Sequence, residues 1–256
     1  MVFRNLLCKE LRQYRWLFWI SLGLALLNVF LVVLSHELLG GIIKEVSVDI
    51  WEKFLISEAD LATLDEFSYY LWSQWNAKSL YQLGLIMITV LAAAQFAGES
   101  SKRNMSFLLS RPATRRQIFA GKSGAGLILI YLVLGVSTLF LCVFSLLVNH
   151  QALWTKLLFS SVISLLWLTV LYLLGCLLSI LTPFPLLAGL ALLGVVAILA
   201  VPGCFLPTRA LSIFYHIKAV GYFLKGDLLL LSVLPALLLS GLLYYYTMKV
   251  FEQKDF

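Results

Sequence analysis

Three consecutive residues, Gly121, Lys122 and Ser123, are of the types that bind nucleotide phosphates. They match the end of a phosphate-binding loop, in which glycine backbone amides and a lysine surround the phosphate oxygens. That motif needs another glycine five residues before Gly121, where this sequence has Arg116, and no apolar strand precedes the position. We therefore expect no ATP site of this type, and energy from ATP would have to come through another polypeptide.

Histidine and cysteine are the other residue types that could form a metal or nucleophilic site. His36, His150 and His216 all fall at predicted ends of apolar segments, which favours single interfacial histidines over a metal or pH-sensing site. The cysteines lack paired metal spacing and are interpreted as small apolar residues (Cys8, Cys142, Cys176 and Cys204). No bound metal or cofactor is predicted.

Apolar segments dominate the chain. Hydrophobic residues make up 61% of it, charged residues 12%, and the mean hydropathy is +0.95. Because a helix needs about 20 apolar residues to cross a bilayer, we identify six spans, at about 16–35, 79–97, 125–148, 157–181, 186–206 and 228–248. They leave no room for a soluble domain, so we predict one all-α integral membrane domain over residues 1–256.

Ionisable residues are missing from the interiors of the last five predicted spans. Ion-coupled carriers need such a group to bind the ion or relay a proton. Intramembrane hydrolases need a base beside their nucleophile, and no histidine is placed to act as one. Both classes are therefore disfavoured.

The distribution of Lys and Arg predicts the orientation. With both termini in the cytoplasm, most basic residues lie on the cytoplasmic side, and the outer segments are net acidic although the whole chain carries +6. The basic pI near 9.1 is then a topology signal. A nucleic-acid partner is not expected, because no basic face interleaved with aromatics lies on a soluble domain.

Residues 2–15 predict an amphipathic helix at the cytoplasmic membrane surface. Arg4, Lys9, Arg12 and Arg15 lie on one side, opposite an apolar side (Val2, Phe3, Leu6, Leu7 and Leu11). Two interpretations stay open: an anchor to anionic lipid alone, or a helix that also contacts a cytoplasmic partner.

Two outer segments predict interfacial structure. Within 35–78, amphipathic helices would cap the spans, with interfacial aromatics (Tyr69, Tyr70, Trp72 and Trp75). Packing and anchoring are favoured there over substrate capture. Residues 207–227 are too polar to span and too apolar for an ordinary loop, so a re-entrant or interfacial hairpin is predicted.

The cytoplasmic segment 98–124 carries six basic residues and one acid, Glu99. Its first part predicts a helix that ends at Pro112. The run from Thr114 to Gln117 predicts a capping box, and a new helix would continue from it into the third span. This elbow is either a topology determinant or a docking surface for a cytoplasmic partner.

The order of residues in the elbow resembles the permeases of type 2 ABC exporters, the ABC-2 family. Within that family it is most similar to the branch containing the permease linked to maturation of nitrous oxide reductase. The matching positions are Glu99, Leu108, Leu109, Ser110, Pro112, Thr114, Arg115, Gly121 and Lys122. Asn104 and Met105 depart from the usual Gly-Thr. The Lys9-Glu10-Leu11-Arg12 start and the six-span plan also match.

The resemblance implies a half-transporter in a bacterial plasma membrane. Two such permeases, copies or paralogues, would join two ATP-binding subunits that hold ATP and Mg²⁺. The implied coupling residues are Glu99, Lys102, Arg103, Leu108, Leu109, Arg111, Pro112, Thr114, Arg115, Arg116 and Lys122, and those of the interface helix are Arg4, Lys9, Glu10, Arg12 and Arg15. An uncharged, aromatic-rich interior suits an amphipathic substrate. The alternatives are an ATP-independent channel and a non-transport scaffold or small intramembrane enzyme.

Overall fold

The computed structural model describes residues 2–45, 67–101, 114–148 and 153–254. Every regular element in these ranges is helical, and six of the helices are long and apolar enough to cross a membrane. The predicted all-α membrane fold with six spans is therefore confirmed. In chain order the helices are α1 (Val2–Gln13), α2 (Arg15–Glu45), α3 (Phe67–Ser101), α4 (Arg115–Val148), α5 (Trp154–Leu181), α6 (Pro185–Ala200), α7 (Ile213–Ile217) and α8 (Leu229–Gln253).

Helix α5 is the centre of the bundle. In its most apolar stretch 78% of residues are buried by protein, whereas the corresponding share is 11% for α8. The serines of α5 are compatible with this burial because their hydroxyls donate to carbonyls one turn earlier, as Ser161 does to Leu157 at 2.9 Å. Gly175 allows α3 to approach closely, since a Cβ there would lie 2.8 Å from that of Ala92. Helices α3, α4, α6 and α8 pack against α5, whereas α2 packs mainly on α4.

Helix α3 is longer than predicted. It begins at Phe67 rather than at 79 and contains two π-helical stretches, Trp72–Leu80 and Ala93–Ala97. Trp72 and Trp75 are buried by protein, and the Trp75 indole donates to Thr138 Oγ1 at 3.1 Å. Tyr70 is buried as well. Tyr70, Trp72 and Trp75 therefore pack inside the bundle, and the prediction that these three anchor at the lipid interface is wrong; Tyr69 is half-buried, and its interfacial position stays a prediction.

The end of the bundle near residues 201–225 consists of short helical pieces, namely two 3₁₀ turns, α7 and a π turn at Gly221–Lys225. Their helical character agrees with the hairpin predicted for residues 207–227, whose re-entrant or interfacial position stays a prediction. The His216 ring stacks on Trp167 at 4.7 Å, and burial lowers the pKa of His216. His36 instead packs on Phe67 and Tyr70. His150 and residues 46–66 of the predicted outer helices lie outside the described residues.

Candidate functional site

The opposite end, which we call the base, is where α1 packs on the start of α4. Gly121 permits the contact, because a Cβ at that position would lie only 2.7 Å from the Leu6 Cδ2 atom. Leu7 lies farther on, 4.0 Å from the equivalent point at Gly124. The apolar side of α1 is therefore partly covered by protein rather than only by lipid. This packing brings Glu10 on α1 to the buried side of the base.

Glu10, Glu99 and Lys122 form a buried ion cluster at the base. The Lys122 and Glu10 side chains are fully buried and Glu99 is 7% exposed. Lys122 Nζ lies 3.0 Å from Glu10 Oε1 and 2.6 Å from Glu99 Oε2. Lys9, half exposed, lies 3.5 Å from Glu10 and 3.6 Å from Glu99. Two carboxylates thus share two ammonium groups, of which only Lys122 is buried.

The cluster joins three separate segments of the chain. Glu10 belongs to α1, Glu99 to the last turn of α3 and Lys122 to the second turn of α4. Both members of a buried ion pair have lost their contact with water. Removing one of them therefore lowers the free energy of unfolding by about 3–5 kcal/mol, because the remaining charge has no compensation. The three segments are therefore held at one separation, and relative movement between them must rearrange the ion pairs.

Tyr14 lies beside the cluster and remains protonated. Its pKa is raised by burial and, to a smaller extent, by the charges of Glu10 and Glu99. Neither its hydroxyl nor Glu10 Oε2 has a hydrogen-bond partner within the described residues. The Tyr14 hydroxyl can therefore donate a hydrogen bond, and Glu10 Oε2 can accept one, if the ion pairs rearrange.

A hydrogen-bond network connects the cluster to α5. Tyr172 donates to Gln95 Oε1 at 2.5 Å, and Gln95 Nε2 donates to the Lys122 carbonyl at 3.1 Å. Within the second π-helical stretch, the Ala97 amide donates to Ser179 Oγ at 2.9 Å. The sequence analysis missed Gln95 and Tyr172. One signal was present: Gln95 precedes Glu99 by four residues, which places both on one face of α3.

Arg115 and Arg116 hold the end of α8 against the start of α4. Arg115 Nη1 donates to the carbonyls of Glu252 and Lys254 at 2.7 and 2.6 Å, as expected for a cation at a helix C-terminus. Arg116 pairs with the Glu252 carboxylate at 2.5 Å. Lys254 in turn donates to the carbonyl of Ile180 at the end of α5. The base therefore links α4, α5 and α8.

We predict that Arg115→Gln loosens the end of α8, because charged hydrogen bonds to backbone carbonyls contribute about 1.5–3 kcal/mol. Amides of residues 250–253 should exchange with deuterium about tenfold faster in this variant, measured by mass spectrometry on the detergent-solubilised chain. The matched control is Arg116→Gln, whose salt bridge is largely exposed and screened by solvent, so its loss should change the exchange of these amides little. Equal deuterium exchange at residues 250–253 in the two variants would contradict the role of Arg115 in holding the end of α8.

The predicted capping box before α4 is confirmed. The Thr114 amide donates to Gln117 Oε1 at 3.1 Å, and the Gln117 amide donates to Thr114 Oγ1 at 3.3 Å. Glu99 and Lys122 meet in the cluster, while Arg115 and Arg116 contact α8. The remaining predicted coupling residues lie outside the described residues (Lys102, Arg103, Leu108, Leu109, Arg111 and Pro112).

The interface-helix residues divide between two surfaces of α1. Glu10 is buried in the cluster, whereas Arg4, Lys9 and Arg12 are exposed. Arg15 begins α2 and is exposed too. The tripeptide that resembles a phosphate-binding loop lies inside α4, where its amides belong to the helical ladder and its lysine is engaged by carboxylates. It has no free amides with which to surround a phosphate.

Fold and base together define a polytopic helical membrane protein whose buried charges gather at one end. The family model for ABC-2 family transporter proteins matches residues 5–235. The chain belongs to this family and is a transmembrane permease component of an ABC transporter, not its ATPase. Comparison with curated proteins and with solved structures finds no match.

Proposed function

We propose that the chain is the permease subunit of an ATP-driven exporter, and that a separate ATP-binding subunit docks on the elbow at 98–124. One observation carries the proposal: Lys122, near one end of the elbow, is ion-paired at 2.6 Å to Glu99 near the other end, and at 3.0 Å to Glu10 on α1. A push on the elbow would therefore reach α3, α4 and α1 together. ATP and Mg²⁺ would bind to the partner, whose closure supplies the work.

The helices that leave the elbow are suited to carry this movement. Each continues from the base into the bilayer, α3 upward from Ser101 and α4 from Arg115. Arg115 extends the connection to α8 through its two carbonyl contacts. The ATPase stroke would thus reorient three spanning helices relative to the central α5.

The finer features of the proposal follow from the charge pattern and the family. Both termini would be cytoplasmic, in a bacterial plasma membrane, because the basic segments gather on that side. The permease would pair with a second copy or a paralogue. An amphipathic substrate suits the apolar interior, and the similarity to the branch of the nitrous oxide reductase maturation permease remains a prediction.

The test is capture of the ATPase from native membranes in mild detergent. Because Arg115 and Arg116 hold α8, their reversal would disturb the fold, so the variant used is Arg103→Glu with Arg111→Glu. We expect the ATP-binding subunit to co-purify with the wild type and to be at least tenfold depleted with the variant. Lys156→Glu, a charge reversal outside the elbow, should retain it.

Two outcomes would contradict the proposal differently. If no ATPase accompanies the wild type, an ATP-independent channel or a scaffold becomes the better interpretation. If the ATPase stays bound to the Arg103→Glu/Arg111→Glu variant, the chain is still a permease but the elbow serves only to set topology.

A further inference from the structure

The exposed side of α1 forms a concave basic surface, which we call the basic groove. Its volume is about 640 Å³ and its described lining residues are Asn5, Cys8, Lys9, Arg12, Gln13 and Arg15. These include three cations and no carboxylate. All six of these residues are exposed, so the Leu6–Gly121 contact with α4 does not cover them.

The two arginines of the basic groove keep their charges available. Within the described residues, Arg12 and Arg15 form no ion pair with a carboxylate. Lys9 differs, because Glu10 and Glu99 share it. The groove therefore presents an uncompensated positive charge, which favours an anionic occupant.

The basic groove continues onto a lipid-facing part of α2. Arg15 is the first residue of that spanning helix, and its guanidinium lies 5.7 Å from the Trp16 ring centroid. The Trp16 and Trp19 side chains are both exposed on the surface of the protein. Tryptophan at the end of a spanning helix lies at the level of the lipid headgroups. The arginines thus meet the membrane where phosphate groups are concentrated.

We propose that the basic groove binds the headgroup of an anionic glycerophospholipid. The phosphodiester oxygens accept hydrogen bonds from Arg12 and Arg15, whose guanidinium groups match phosphate geometry. The acyl chains run along the exposed face of α2 beside Trp16 and Trp19. A soluble protein partner fits this surface less well, because the groove opens onto residues that contact lipid. The inference does not depend on the proposed ATPase docking.

The test measures lipid binding to the purified chain by native mass spectrometry. Dioleoyl phosphatidylglycerol is titrated against dioleoyl phosphatidylcholine, with no ATPase present. We expect phosphatidylglycerol to bind the wild type preferentially and to bind Arg12→Gln/Arg15→Gln about thirtyfold more weakly, a fold-change equal to about 1 kcal/mol for each of the two basic residues at an anionic surface. The control Arg4→Gln removes a charge from the same helix outside the groove and should change binding less than twofold.

Further variants keep the result interpretable. Arg12→Lys/Arg15→Lys preserves the charges and should retain most of the binding, which excludes misfolding as the cause of a loss. Equal affinity of the wild type for the two lipids would overturn the proposal. So would a glutamine variant that binds phosphatidylglycerol normally; if that variant also loses the ATPase in native membranes, the surface belongs to the ATPase.

Discussion

Lys122→Met should lower the stability of the folded chain by about 3–5 kcal/mol, because it leaves Glu10 and Glu99 buried without their ammonium partner. Lys9 offers little compensation, since it is half exposed and lies at least 3.5 Å from either carboxylate. For a chain of this size the expected fall in thermal midpoint is roughly 10–15 °C. It can be measured as the folded fraction that survives heating, resolved by size-exclusion chromatography in detergent.

The matched variant neutralises the whole cluster. Lys122→Met combined with Glu10→Leu and Glu99→Leu leaves no unpaired buried charge, and replacing a buried ion cluster by apolar residues of similar size is often neutral for stability. We expect most of the lost thermal midpoint to return. If the triple variant is as unstable as Lys122→Met, the shape of the side chains rather than their charge determines which substitutions the cluster tolerates.

The same triple variant separates folding from coupling. If the cluster transmits the stroke of the ATPase, a stable triple variant should bind the ATP-binding subunit yet show transport per ATP hydrolysed reduced about tenfold or more. Unchanged coupling in a well-folded triple variant would restrict the cluster to a structural role, while leaving the docking proposal intact.

Hydropathy predicts the six spans because each contains about 20 apolar residues, whatever surrounds them. It places the start of α3 too late because a hydropathy scale scores each residue without regard to its hydrogen-bond partner. Asn76 lowers the average, yet in the bundle its amide donates to Ser161 Oγ at 3.0 Å and is stable there. The same limitation affects Trp72 and Trp75, because the sequence does not show the partners that bury them and predicts an interfacial position instead.

The ion cluster was predictable only in part. Glu99 and Lys122 stand out in the family motif, and Glu10 in the basic N-terminal segment, but no sequence spacing connects position 10 with position 122. Their pairing depends on α1 crossing α4 at Gly121. Tyr172 gave even less signal, because a single tyrosine within an apolar helix has the same pattern whether it faces lipid or a buried glutamine.

Gly126→Ala should be nearly as damaging as the loss of Lys122, although it adds only a methyl group. A Cβ at this position would lie 2.1 Å from the Tyr172 hydroxyl and 2.8 Å from Gln95 Nε2. Tyr172 is fully buried and cannot swing into solvent. The methyl group must therefore displace the tyrosine and break its hydrogen bond to Gln95. Overpacking together with an unpaired buried amide should cost about 3 kcal/mol.

The control for Gly126→Ala lies on the same helix. Among the described residues, no atom outside the surrounding turns of α4 lies within 4 Å of the position that a Cβ of Gly135 would take. Gly135→Ala should therefore leave the thermal midpoint unchanged or raise it slightly, because alanine favours the helix by about 1 kcal/mol. Gly126→Ala should lower it by roughly 10 °C in the same assay. A similar midpoint for both variants would contradict the close packing of Tyr172 on α4.

A second substitution tests the cause of the expected loss. Tyr172→Phe removes the hydroxyl that the methyl group of Gly126→Ala would meet, although the ring carbon beneath it would still lie 2.6 Å away. The double variant should therefore be more stable than the sum of the two single changes predicts, with a coupling of about 1 kcal/mol or more. Simple additivity would show that the two residues do not touch. The connection from the ion cluster to α5 would then have to run through Ser179 instead.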